Sequence, residues 1–125
     1  MYATTLAKTA YANSTQPVRT ARGMEFELFA RVTRRLKQAT DAGAAQFPAL
    51  AEAIYDNRKL WTVLAADVAD PANNLPAELR ARLFYLNEFT QSHSRKILSG
   101  QGSADVLVDI NTAIMRGLRQ DGGAA

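Results

Sequence analysis

His93 is the only histidine of the chain, and Ser92 and Ser94 beside it are the nearest hydroxyls that could act as nucleophiles. A serine attacks only when a base reaches its proton. Neighbouring helical residues point about 100° apart, so adjacency does not aim either hydroxyl at the ring. One imidazole also falls short of a zinc ligand set, and no cysteine is present to complete it. Asp105 and Asp109 share a helical face, the spacing of a carboxylate pair. The helix dipole accounts for the first and solvent for the second. The sequence contains no P-loop, no dinucleotide glycine fingerprint and no nucleophile elbow. These residues predict neither catalysis nor a cofactor nor a metal site.

Binding chemistry is better represented. In NRKLW, residues 57–61, Asn57 and Arg58 interrupt an apolar stripe running from Ile54 to Trp61. A buried guanidinium left unpaired costs several kcal/mol, so Arg58 demands partners. Two readings stand. In one, Asn57 and Arg58 form a polar clasp with Asn87, Glu88 or backbone carbonyls of a neighbouring helix. In the other, Arg58 faces a groove and reads a partner's carboxylate or helix C-terminus. Trp61, the sole tryptophan, is correspondingly either core or a groove anchor. Asp67 falls in the last turn of its helix, where the dipole disfavours a negative charge, and Arg80 and Arg82 are its salt-bridge candidates. Arg31, Arg34, Arg35 and Lys37 form a basic run that could follow phosphates. A solvated helix face is the commoner meaning of such a run, and no aromatic platform accompanies it.

The elements that must position these residues are all helical, because apolar residues recur at three- and four-residue steps and seldom alternate. An alanine-rich amphipathic segment over residues 2–13 reads as a loosely docked short helix with Tyr2, Leu6 and Tyr11. A clear amphipathic helix follows from about Thr20 to Asp41 with Phe26, Phe29, Val32, Leu36 and Ala39 inward, stopped at Gly43. The next, Phe47 to Ala69, is apolar nearly all round in LWTVLAADVA, the mark of a central helix or of one awaiting a partner. Asp70, Pro71, Asn73 and Asn74 make a turn, and Pro76 suits the start of a helix reaching Leu98. With that turn centred near residue 72, the two helices lie antiparallel and Arg58 comes level with Leu86, Asn87 and Glu88. Gly100 fits a left-handed stop and Ser103 the N-cap of a last helix with Val106, Leu107, Ile110, Ile114 and Leu118 inward. The expected fold is all-α, a compact bundle of four main helices plus the short N-terminal segment, with residues 1–18 mobile and 120–125 frayed.

At 125 residues the chain makes one domain able to bury about two thirds of its unfolded surface. The net charge of +3 comes from the first half: residues 1–60 carry nine Lys/Arg against five Asp/Glu, and residues 61–125 six against seven. Such a balance permits weak contact with anions without requiring it. No apolar run approaches the roughly 20 residues that cross a bilayer, and the N-terminus lacks the hydrophobic block of a secretion signal. A soluble, cytoplasmic protein without membrane insertion is expected.

Four strings, EFELFARVTRRL (25–36), NRKLWTVLAAD (57–67), NNLPAELRARL (73–83) and INTAIMRGL (110–118), resemble the FlaF family of bacterial flagellar biosynthesis proteins. The likeness runs from about Tyr11 to Leu118, and NR-LW with N-LP--LRA are its most specific marks. The resemblance implies a small helical cytoplasmic protein needed for flagellin production and export. Members are described as flagellin regulators and secretion chaperones, working beside FlbT, a regulator that acts on flagellin messenger RNA. The family brings no enzyme chemistry.

The function expected is therefore a flagellin-binding export chaperone and regulator that holds an amphipathic flagellin segment in an apolar groove. The expected wall is Leu60, Trp61, Val63 and Leu64, with Arg58 and His93 as polar rim and the N-terminal segment as a removable lid. The alternative is a post-transcriptional regulator that touches flagellin messenger RNA through Arg31, Arg34, Arg35 and Lys37. Surplus apolar surface could instead pair two copies.

Overall fold

The structure, a computed structural model, describes the backbone of residues 17–124 and the side chains of residues 26–43 and 45–117. Within these limits it is a bundle of four α-helices without strands: α1 (Pro17–Ala42), α2 (Phe47–Ala69), α3 (Ala77–Leu98) and α4 (Asp105–Ala124), with one 3-10 turn at Ala44–Gln46. The short helix expected over residues 2–13, and the lid assigned to it, lie outside the described residues.

Three- and four-residue spacing of apolar side chains forms each helix and selects its inward face. On α1, Phe29, Val32, Leu36 and Ala39 are buried. Gly43 ends the helix with φ +86°, a backbone region in which a Cβ is strained. Pro48 then occupies the first turn of α2, where its missing N–H costs nothing. Between α2 and α3 the turn is tied by side chains. Asp70 Oδ1 accepts the Ala72 amide, Asn73 Oδ1 accepts the Leu75 amide, and Asn73 Nδ2 reaches back to the Asp67 carbonyl, each at 2.9 to 3.2 Å. Gly100 takes the left-handed stop expected of it, with φ +88°.

Packing is close between α1 and α2, between α2 and α3, and between α1 and α4. The nearly all-apolar α2 is thus the central helix, occupied on two sides. Its buried row of Leu60, Trp61, Leu64 and Val68 meets Phe29 and Val32 of α1 and Leu83 of α3. Trp61 is wholly buried and stands edge-on to Phe29, with ring centroids 5.8 Å apart. Each large side chain so buried contributes about 1.5 to 3 kcal/mol. A second cluster, Leu36, Ala39, Ala53, Ile54, Ile97, Ala104 and Leu107, joins all four helices toward the α3–α4 turn.

The last helix departs from expectation in two respects. Among the described side chains of its predicted inward face only Leu107 is fully buried, while Val106, Ile110 and Ile114 are half-buried, because the extensive contact of α4 is with α1; Leu118 lies outside the described side chains. Its backbone also stays helical through Ala124 where a frayed tail over 120–125 was expected. Once a helix is nucleated, each added residue gains one hydrogen bond.

Candidate functional site

The interruption at residues 57 and 58 resolves into two separate constructions. Asn57 points inward and is fully buried with Asn111 of α4, which lies on that helix's apolar stripe. Asn111 is the hub of a polar layer. Its Oδ1 accepts the indole N–H of Trp61 at 2.9 Å, and its Nδ2 donates to Asn57 Oδ1 at 2.7 Å and to Thr33 Oγ1 at 3.1 Å. Three helices are thereby registered through one amide. Thr90 and Ser94 of α3 are also fully buried, and their hydroxyls and the Asn57 Nδ2 have no hydrogen-bond partner among the described residues.

Arg58 lies on the seam between α2 and α3. Its Nε donates to Gln91 Oε1 at 2.8 Å. Gln91 Nε2 in turn donates to the Arg58 carbonyl, Thr62 Oγ1 and Asn87 Oδ1 at 3.1 to 3.2 Å. The polar clasp therefore exists with altered membership. Arg58 meets Gln91, about one turn further along α3 than expected, Asn87 joins indirectly, Glu88 forms no ion pair among the described residues, and Asn57 belongs to the core layer. Trp61 and Leu83 share a core cluster, as the expected register has them, so the offset lies in the reach of the long Arg58 and Gln91 side chains along the seam.

A groove of about 390 Å³ opens on this seam, lined by Tyr55, Arg58, Lys59, Thr62, Val63 and Gln91. Tyr55 and Val63 are 61% and 56% exposed, unusual for apolar side chains of a helix packed on two sides. Lys59 Nζ lies 5.4 Å from the centre of the Tyr55 ring, a cation–π contact. Phe84, also exposed, sits two turns before Gln91 on the same stripe of α3 and extends the apolar surface.

The remaining predicted residues are distributed differently. Leu60, Trp61 and Leu64 are core residues and do not wall a groove; of the expected wall only Val63 is accessible. The reason is that α2 buries that face against α1 and α3 at once. His93 is not a rim partner of Arg58. It lies on the α4 side of α3, where Nε2 donates to the Ser103 carbonyl at 2.8 Å and the ring stacks on Phe89. Asp67 pairs with neither Arg80 nor Arg82. Its Oδ2 accepts from Asn73 Nδ2 at 3.4 Å, and Arg80 donates instead to the Val68 carbonyl. Burial first, and the Asp70 charge second, push the Asp67 carboxyl above the usual carboxylate range. Of the basic run, all exposed, Arg35 is paired with Asp56 at 2.9 Å and Lys37 with Asp41 at 3.2 Å, leaving Arg31 and Arg34 unpaired among the described residues.

A comparison with family models decides the affiliation, for the model described as flagellar protein FlaF matches residues 7–118. The chain belongs to the FlaF family. Membership ties this protein to the flagellum, and the match begins slightly before the Tyr11 start read from the quoted strings. Neither the curated proteins nor the solved structures gave a significant match. No described helix is long and apolar enough to cross a membrane. Sequence reasoning overlooked Asn111, Thr33, Gln91 and Tyr55. Asn111 carried a signal, since it interrupts the stripe between Leu107 and Ile114 as Asn57 interrupts its own.

Proposed function

We propose that the protein is a cytoplasmic export chaperone for flagellin that, by sequestering the subunit, also regulates flagellin production. Flagellin ends are amphipathic segments that assemble by burying apolar faces, so covering one such face prevents premature polymerisation. The segment lies along the α2–α3 groove, its apolar side chains against Tyr55 and Val63. What supports this reading, within a FlaF chain, is that these two side chains stand exposed beside a guanidinium that has no carboxylate partner among the described residues. Helix-in-groove docking is the matching mode of recognition.

The test is co-purification with the cognate flagellin and with forms truncated at either end. Binding should vanish with one truncation and with Val63→Asp, which places a charge on the apolar wall. Retention of both truncated forms and of the Val63→Asp complex would remove the proposal. A direct contact with flagellin messenger RNA is the second reading, and unpaired Arg31 and Arg34 favour it. It requires that Arg31→Glu with Arg34→Glu abolish function while Val63→Asp does not.

A further inference from the structure

Two grooves of similar size among the described residues differ in how their charges are arranged. The one between α1 and α2, about 430 Å³, contains Arg35, Glu52 and Asp56, and its cation is closed off by the Arg35–Asp56 ion pair. The one between α2 and α3 is lined by two cations, Arg58 and Lys59, and by no acidic side chain. Arg58 is held there by the inner end of its head group. Gln91 takes Nε, and the terminal nitrogens have no ion-pair partner among the described residues. Gln91 is itself fixed by three acceptors, the Arg58 carbonyl, Thr62 and Asn87. The guanidinium is therefore oriented in advance, with two parallel N–H donors left for an incoming group.

A guanidinium presented in this way matches a carboxylate in bidentate geometry, and a half-buried setting strengthens that pair relative to one in open solvent. The apolar walls fix what the carboxylate must be attached to. Tyr55 and Val63 are eight residues apart on α2, hence about 12 Å, and Arg58 lies between them along the axis on the side toward Gln91 of α3. A helix lying alongside presents apolar residues one turn before and one turn after a central residue over the same distance.

We propose that the segment held by the α2–α3 groove is a helix bearing an Asp or Glu side chain flanked at four-residue spacing by apolar residues, its carboxylate seated on the terminal nitrogens of Arg58. This assignment rests on the chaperone reading and specifies the chemistry its partner must have.

The experiment measures binding of purified monomeric cognate flagellin to the full-length protein between about 50 and about 300 mM salt. Wild type, Arg58→Gln, Arg58→Lys and Val63→Asp are compared after their melting curves show each variant folded. The expected result is that Arg58→Gln weakens binding about tenfold at the lower salt and flattens the salt dependence. Arg58→Lys keeps the salt dependence while losing part of the affinity, because a point charge replaces the fork. Neutralising the acidic residues of flagellin one at a time should identify one whose loss no longer matters in the Arg58→Gln background. If Arg58→Gln binds as wild type does, with the same salt dependence, while Val63→Asp abolishes binding, the carboxylate assignment falls and the chaperone reading stands. If wild type binds no flagellin at all, both fall.

Discussion

Asn111 carries more of the fold's specificity than any other polar side chain described, because its one amide on α4 bonds three side chains from α1 and α2. Replacing it with alanine strands the Trp61 indole N–H and Asn57 Oδ1 in the interior and leaves a cavity. Asn111→Ala should cost about 2 to 4 kcal/mol, read from the urea midpoint followed by Trp61 fluorescence. Thr90 is the opposite case, a buried hydroxyl without a partner. Thr90→Val keeps its shape, removes the orphan and should stabilise by about 1 kcal/mol in the same assay. Asp67 gives a pH signature. Its carboxyl is raised in the folded state, so the folded chain holds that proton to higher pH than the unfolded chain does. Its contribution to stability accordingly falls as pH rises from the ordinary aspartate range through the raised value. Asp67→Asn should remove that component, seen as a flatter dependence of melting temperature on pH across the window.

At the scale of elements, the turn between α3 and α4 offers a graded comparison. Gly100 and Gly102 both have positive φ, but a Cβ on Gly100 meets nothing within 4 Å, whereas one on Gly102 would lie 3.3 Å from His93 Cε1. Gly100→Ala should cost about 1 kcal/mol from backbone strain alone. Gly102→Ala should cost more, because it also presses on the ring that donates to Ser103, and paired thermal melts would rank the two. The helices themselves were legible because apolar spacing fixes α1 and α2 regardless of their neighbours, as Phe29, Val32 and Leu36 illustrate. The Arg58–Gln91 pairing was not, since it depends on how far two long side chains reach along the seam rather than on which residues lie level. Trp61 illustrates a second limit. A stripe residue reads alike whether the helix buries it against two neighbours or offers it to a partner, and only the packing of α2 between α1 and α3 settles that it is core. Tyr55 escaped notice for the converse reason, as an outward aromatic residue on a helix looks like ordinary surface until the facing helix makes a groove of it.

At the scale of the whole molecule, the described residues close a core of their own, and on the α2–α3 face they leave two large apolar side chains exposed beside an unpaired cation. Two apolar clusters and a polar layer tie the four helices together, and the accessible groove is bounded by Tyr55 and Val63 around Arg58. This arrangement separates stability from binding. Asn111→Ala should weaken the fold, while Val63→Asp, on a side chain 56% exposed, should leave the melting temperature nearly unchanged and act on association alone. The measurement that bears most directly on the chaperone reading is amide hydrogen exchange of the full-length protein with and without monomeric cognate flagellin. The account predicts new protection concentrated in α2 around residues 55–63 and in α3 around residues 84–91. Protection confined to the α1 segment carrying Arg31 and Arg34, or no change on either helix of the groove, would contradict it.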